Sequence, residues 1–299
     1  MSDVRFDGKT VIVTGAGGAL GRAYSLMFAS RGANVVVNDL GGSTQGEGAS
    51  QSAADKVVDE IKATGGSAVA SYDSVTEMEN AQKIVKTALE TFGGVHALVN
   101  NAGILRDKSF AKMIEEDWDM VHKVHLKGAF CMTKAVWEHF REQSYGRVVN
   151  TSSAAGLYGN FGQANYSAAK MGLVGFGQTL ALEGVKYDIK SNIIAPIARS
   201  RMTEELLPPE VLKMIEPETV APLVGYLCSE DCQESGQVFE VGAGRVFHVK
   251  LHRGAGFKTG AENGVASLEE IRDNWSRIMD LSELTAVNSL QESTMGFMQ

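Results

Sequence analysis

The chain has 299 residues, 44% of them hydrophobic and 21% charged, with a mean hydropathy of −0.08. These values exclude a disordered or fibrous protein and fit one large globular domain, or one domain with an appendage. Lys and Arg number 28 against 36 Asp and Glu, a net charge of −8, which argues against nucleic acid as the main partner, since a phosphate backbone needs a basic face.

Near-continuous β-branched runs at residues 10–14, 34–38, 67–72 and 95–100 predict strands covered on both faces. The stretches 19–30, 51–63 and 77–91 between them predict helices. In the third, Ala81, Ile84, Val85, Ala88 and Leu89 share one face. Thr64-Gly65-Gly66 and Phe92-Gly93-Gly94 are stop signals for two of these helices. The alternation continues with a long helix at 117–141, a strand at 147–151, a helix at 165–186 and a strand at 189–195. A short helix at 219–228 and a last strand at 238–241 follow. Strand and helix in alternation mean right-handed βαβ units, hence an α/β fold with a doubly wound parallel sheet of about seven strands. The rhythm ends at Gly242-Ala243-Gly244, so the domain is assigned to residues 1–244 and a C-terminal extension to 245–299. The extension predicts one helix at 267–279. It also holds Val246, Phe247, Val249, Leu251, Phe257, Trp275, Ile278 and Met279, which a solvated linker would not need. It is therefore expected to pack on the active-site pocket or on a dimer partner, with linker-like residues after about Leu284.

Cys131, Cys228 and Cys232 are too few for a disulfide framework and point to a reducing compartment. None has His or Cys at ligand spacing, so no metal is expected. The first residues, Met1-Ser2-Asp3-Val4-Arg5, are charged where a signal peptide would be apolar. No apolar run approaches the ~18–20 residues that span a bilayer, so no membrane span is expected. The ending Gly296-Phe297-Met298-Gln299 is not a Ser-Lys-Leu type of peroxisomal signal.

Thr14-Gly15-Ala16-Gly17-Gly18-Ala19-Leu20-Gly21 closes the first strand and opens a helix. Gly15 and Gly21 there allow a tight turn, and Leu20 lies at the opening helix, whose free N–H groups can meet a pyrophosphate. A glycine-rich run alone is weak. Its place in the first βαβ unit makes it a Rossmann-like dinucleotide site. Asp39 follows the second strand, where a carboxylate accepts the adenosine ribose hydroxyls and repels a 2′-phosphate, which favours NAD over NADP. Arg22 is the opposing clue, a base that can serve a 2′-phosphate, but it sits inside the helix.

Four further stretches complete a pattern: Asn100-Asn101-Ala102-Gly103, Ser153, Tyr166-Ser167-Ala168-Ala169-Lys170, and Asn192-Ile193-Ile194-Ala195-Pro196. In this order, with the glycine-rich loop, they resemble the short-chain dehydrogenase/reductase superfamily across about residues 5–245. The chemistry can be read from the residues themselves. Tyr166 and Lys170, at i and i+4, share a helix face. An ammonium beside a phenol is expected to lower its pKa from the usual value near 10. The phenolate then takes a hydroxyl proton as hydride leaves the same carbon, while Ser153 holds the substrate oxygen in register. The resemblance further implies that Lys170 bonds the nicotinamide ribose and that Asp73, Ser74 and Val75 flank the adenine. It places Asn101 by the adenosine ribose, with Ala198, Arg199 and Ser200 in the segment closing over the nicotinamide. Two positions depart from the superfamily: Pro196-Ile197 stands where Pro-Gly is common, and His125 where an Asn of a proton relay is common. His125 is then either part of an altered relay or a satisfied helix residue.

A narrower resemblance rests on Asn38-Asp39-Leu40-Gly41-Gly42, Asn101-Ala102-Gly103-Ile104-Leu105-Arg106-Asp107, Val124-His125-Leu126-Lys127-Gly128 and Gly159-Asn160-Phe161-Gly162-Gln163-Ala164-Asn165-Tyr166. Ser200-Arg201-Met202-Thr203, Phe239-Glu240-Val241-Gly242-Ala243-Gly244 and Gln291-Glu292-Ser293-Thr294 extend it into the tail. These resemble the (3R)-hydroxyacyl-CoA dehydrogenase units of the peroxisomal multifunctional enzymes, in which His125 is usual. The resemblance implies NAD-dependent oxidation of (3R)-3-hydroxyacyl-CoA to 3-ketoacyl-CoA in peroxisomal β-oxidation, an acyl-CoA substrate, and a hydratase domain in a longer parent chain. It also implies a homodimer, for which Ala164, Ala168, Ala169 and Gly172 offer a small-residue helix face. Those residues alternatively seat the helix on its own sheet. A ketoacyl reductase, a steroid or alcohol dehydrogenase on the same scaffold, and a non-catalytic NAD-responsive binding protein remain as other readings.

Overall fold

The computed structural model describes residues 3–199 and 208–298. It divides into two compact units, Met1–His248 and Val249–Gln299. The first unit begins β1 (Thr10–Thr14), α1 (Ala19–Ser30), β2 (Asn34–Asn38), α2 (Ser52–Ala63), β3 (Ser67–Ser71), α3 (Met78–Phe92) and β4 (Ala97–Asn100). It continues with α4 (Glu115–His122), α5 (Gly128–Glu142), β5 (Gly146–Thr151), α6 (Ala154–Tyr158), α7 (Ala164–Gly184) and β6 (Ile189–Pro196). After α8 (Pro209–Leu212) and α9 (Ala221–Cys228) come β7 (Val238–Gly242) and β8 (Arg245–Val249).

The sheet order is β3-β2-β1-β4-β5-β6-β7-β8. The pairings from β3 through β7 are all parallel, with Ile12 of β1 opposite Val36 of β2 and Leu98 of β4. Side chains alternate along a strand, and the sequence supplies apolar residues for both faces. Val11, Val13, Val35 and Val37 pack against Tyr24 and Phe28 of α1, Val57 and Ile61 of α2, and Val224 of α9. Ile12, Val36, Leu98 and Val148 pack on the other face against Ile84 and Val85 of α3 and Met132, Val136 and Phe140 of α5.

The sheet has eight strands where the sequence pattern predicts about seven. Ala243 and Gly244, with φ of 50° and 71°, form a two-residue turn whose positive φ values suit a hairpin. β8 therefore returns beside β7, and the first unit runs on to His248 rather than ending at Gly244. The long helix expected at 117–141 is two α-helices joined by a π-turn at Lys123–Lys127. The wider turn carries His125 inward, where its Nε2 lies 3.0 Å from the Ile104 amide nitrogen. Of the small residues on α7, Ala169 is fully buried and a Cβ on Gly172 would lie 3.0 Å from Leu126. These two seat the helix on its own unit, and Ala168 is exposed.

The second unit holds a two-stranded antiparallel ribbon of β9 (His252–Gly254) and β10 (Leu284–Ala286). The helix expected at 267–279 is broken at Asn274 into α10 (Leu268–Asp273) and α11 (Trp275–Ile278). Residues after Leu284, read from sequence as linker-like, form β10 and α12 (Leu290–Met295). Two Ser-x-x-Glu pairs explain the short helices: Ser267 caps Glu270 N at 3.1 Å and Ser289 caps Glu292 N at 3.0 Å. No described residue from 249 to 298 is buried.

Arg147, at the start of β5, is 1% exposed. Its guanidinium lies 4.2 Å from the Tyr145 ring centroid and donates to the carbonyls of Ser229 at 3.2 Å and Asp188 at 2.7 Å. It also reaches the Asp188 carboxylate at 3.2 Å. Arg147→Ala would leave buried acceptors without donors. It should cost roughly 2–5 kcal/mol in denaturant unfolding, by loss of charge-assisted hydrogen bonds in a buried setting.

Candidate active site

The carboxyl ends of the parallel strands open into a cleft of about 680 Å³. In an open α/β sheet this edge is where ligands bind. Gly15, Leu20, Gly21, Asp39, Ser74, Val75, Asn101 and Ala198 all line it, as do Ser153, Tyr166 and Lys170. Arg199 is not among the cleft-lining residues; its guanidinium pairs with Glu216 at 3.1 Å. Ser200, Arg201, Met202 and Thr203 lie outside the described residues.

One end of the cleft is built by the glycine-rich turn. Gly15 has φ of 64°, and a Cβ there would lie 2.9 Å from Ala102 Cα. A Cβ on Gly21 would lie 2.3 Å from Gly15 O. Gly18 precedes α1 with no side-chain cap, so the first N–H groups of that helix have no capping side chain to occupy them. The Asn101 amide donates to Thr14 O at 3.0 Å and Gly15 O at 3.2 Å, which clamps the turn to the exit of β4. Asp39 accepts from Gly17 N at 2.8 Å and Gly41 N at 2.7 Å, one bond to each carboxylate oxygen. Its orientation at the end of β2 is thereby fixed. Arg22 is committed elsewhere: it pairs with Glu60 and, at 4.0 Å, with Glu218. The Asn38 side chain donates to Asp73 O at 2.9 Å and holds the segment carrying Ser74 and Val75. These features fit a dinucleotide: a backbone cradle that side chains would fill, a helix start, and a carboxylate held at the ribose end.

Ser153, Tyr166 and Lys170 gather at the other end. Ser153 caps α6, its Oγ accepting from Ala155 N at 3.2 Å. Lys170 is 3% exposed. Its Nζ donates to Thr151 O at 2.5 Å and lies 5.5 Å from the centroid of the Tyr166 ring. The His125 ring stands edge-on to Tyr166, with centroids 5.2 Å apart at 88°. Asn165 sets the start of α7, donating to Arg106 O and Asp117 O at 3.0 Å each, while its Oδ1 accepts from Tyr166 N at 2.8 Å.

The electrostatics differ from the expectation that Lys170 lowers the Tyr166 pKa. Burial pushes Tyr166 up to about 12; the Ser153 hydroxyl opposes this and the Asp107 charge adds to it. Burial also pulls Lys170 down to about 7. His125 is held well below its usual range, by burial first and the Lys170 charge second. Its Nε2 is engaged at Ile104, and its ring lines a cavity of about 10 Å³ with Asn100, Thr151 and Lys170.

Sequence reasoning missed Asp107, Gln163 and the segment 42–46, which also border the cleft. The crowding of glycines at 41, 42, 46 and 48 was the available signal for that segment. Gln163 donates to Asp107 at 2.8 Å, and partial desolvation raises the carboxyl's pKa. Among the described residues no group of three or more His, Cys, Asp or Glu is placed to hold a metal. Among the described residues no helix is long and apolar enough to cross a membrane.

The chain is similar to known proteins across its whole length. The family model for short chain dehydrogenase matches residues 9–210. The mouse peroxisomal multifunctional enzyme type 2 is 55% identical over 100% of this chain and 40% of its own length. The structure of the full-length enzyme of that name from Drosophila melanogaster superposes with a TM-score of 0.84 at 40% identity, over 99% of this chain and 49% of that one. A 7α-hydroxysteroid dehydrogenase solved with NADH and 7-oxo glycochenodeoxycholic acid gives a TM-score of 0.73 at 28% identity, over 82% of this chain and 98% of that one. This chain thus spans about half or less of the two multifunctional enzymes. With its glycine-rich turn, its Ser153, Tyr166 and Lys170 in one cleft and this family match, the chain belongs to the short chain dehydrogenase family.

Proposed function

We propose that the chain is an NAD-dependent (3R)-hydroxyacyl-CoA dehydrogenase that oxidises the 3-hydroxyl to a ketone. The observation that carries this reading is the convergence of Ser153, Tyr166 and Lys170 at one end of a cleft whose other end holds Asp39 and the glycine-rich turn. The bound nicotinamide supplies the hydride acceptor. Tyr166 takes the hydroxyl proton as its phenolate, and Ser153 donates to the substrate oxygen and fixes its position. Lys170, anchored on Thr151 O, orients the cofactor ribose and offers the phenolate its countercharge when protonated. Asp39 selects NAD, since both of its oxygens are held in place by backbone N–H groups and Arg22 is tied to two glutamates.

The substrate class rests on the narrower family resemblance and on the similarity to the multifunctional enzymes. It brings with it a peroxisomal location and a hydratase domain in a longer parent chain. A homodimer is supported by exposed Phe130 on α5 and Met171 and Leu182 on α7, apolar residues that a second protomer would cover. The second unit, residues 249–298, is assigned to the same assembly. Leu268 at 85% and Trp275 at 56% exposure need a partner surface, because a unit with no buried residue has no core of its own.

Turnover of (3R)- against (3S)-3-hydroxyacyl-CoA with NAD tests the activity. The (3R) substrate should be oxidised and the (3S) substrate should not. Preference for a steroid or a simple alcohol would replace the acyl-CoA reading. Tyr166→Phe should lower kcat by roughly a hundred- to ten-thousandfold, the usual contribution of an acid–base group, with NADH binding little changed. Because the phenolate is the active form, the native rate should climb with pH on its acid limb, and the variant should lose that limb. More than about a tenth of native kcat would contradict the role of Tyr166.

Asp39→Ala should weaken NAD binding and narrow the preference for NAD over NADP, by removing both the ribose acceptor and the repulsion of a 2′-phosphate. A native protein that uses NADP as readily as NAD would refute the assignment of Asp39. A chain ending at His248 should lose solubility or the dimer, read by sedimentation. A fully active, stable dimer of that length would show the second unit to be dispensable.

A further inference from the structure

The segment between β2 and α2 is longer than the connection needs, and its course is unusual. Its two feet meet: Ser50 N donates to Leu40 O at 3.0 Å, and a Cβ on Gly41 would lie 1.9 Å from Ser50 O. Its tip is closed on itself by Ser43 N to Glu47 O at 2.8 Å and Gly46 N to Ser43 O at 3.0 Å. It is thus a compact loop with joined ends, a form often tied to function.

The tip does not end in solvent. Leu105 N donates to Thr44 O at 2.8 Å, and the Arg106 guanidinium donates to Gln45 O at 3.1 Å. Packing of Gly46 against Ile104 is close, since a Cβ there would lie 3.1 Å from Ile104 Cδ1. Leu105 and Arg106 follow β4, and the sheet order is β2-β1-β4. Any contact from the loop after β2 to the segment after β4 must therefore cross the end of β1, where the glycine-rich turn emerges. Thr44 and Gly46 line the same cleft as Gly15 and Asp39.

Arg106 is the fixed post of this crossing. Its side chain is 13% exposed and pairs with Asp117, 15% exposed, at 3.5 Å and with Glu116 at 3.2 Å. Its carbonyl accepts from Asn165 at 3.0 Å, immediately before Tyr166. One residue thus joins the loop tip, α4 and the start of the helix that carries Tyr166.

We infer that residues 40–50 form a strap over the bound dinucleotide, latched by Arg106, and that this latch controls how fast the cofactor leaves. The inference rests on the nicotinamide-cofactor reading of the cleft. Arg106 is a positioning residue here: it acts through the strap and touches neither cofactor nor substrate. A cofactor lying from Asp39 to Lys170 passes beneath the strap, so release requires the contacts at Thr44 and Gln45 to open.

The test is stopped-flow dissociation of NADH from the full chain, followed by its fluorescence, in the native protein and two variants. Arg106→Met keeps an unbranched side chain and removes every side-chain donor, and with it the charge-assisted bond to Gln45 O. The second variant replaces residues 43–47 by two glycines and leaves Arg106 in place. Both should release NADH about ten- to hundredfold faster, the change expected from losing a hydrogen bond to a charged group. Combining them should add nothing to the shortened strap, because the latch then has nothing to hold. NADH that binds the native protein and leaves both variants at the native rate would overturn the strap alone. A native protein that does not bind NADH would overturn the cofactor reading and the strap together.

Discussion

A Cβ on Gly15 would lie 2.9 Å from Ala102 Cα, so the exits of β1 and β4 meet backbone to backbone. The rest of the cleft depends on this contact. Thr14 accepts both Asn101 N and Ala102 N on its hydroxyl, at 3.0 and 3.1 Å, and Asn101 returns its amide to Thr14 O and Gly15 O. The clamp fixes where the chain turns into α1, and with it the helix start that faces the cleft. Through Gly17 N it also fixes Asp39, so one close approach sets both the glycine-rich turn and the carboxylate beside it.

The opposite end is ruled by desolvation. Tyr166 and Lys170 each resist their charged form when buried, and the shifts run in opposing directions: the phenol up to about 12, the amine down to about 7. In a site of this kind charge introduced next to the pair is felt strongly, because little water screens it. Asp107 raises the Tyr166 pKa by its charge, whereas Ser153 favours the phenolate by hydrogen bonding. The balance is set by residues from three separate segments, the loop after β4, the start of α6 and the body of α7.

Much of this was legible in the residue order. The β-branched runs gave the parallel strands, because strands covered on both faces must be apolar throughout. Ser153, Tyr166 and Lys170, with the glycine-rich turn, were marked by residue type and spacing as members of the cleft that they line together. Other features were not legible. The π-turn at Lys123–Lys127 leaves a helical pattern nearly unchanged, yet it turns His125 toward Ile104. The hairpin at Ala243 and Gly244 looked like the end of the domain, since two small residues in positive φ serve a stop and a return equally well. The helix break at Asn274 likewise has no strong sequence mark.

The sequence by itself determined the α/β class, the family and the residues that bring chemistry, because periodicity and short motifs are local properties of the chain. Only the tertiary structure decided which of those residues face one cleft, that Arg22 is spent on Glu60 and Glu218, and that burial raises the Tyr166 phenol. It also decided that residues 40–50 reach across β1 to Arg106. Pairing, burial and crossing are set by residues far apart in sequence, and the free energy of a charge depends on what surrounds it in space.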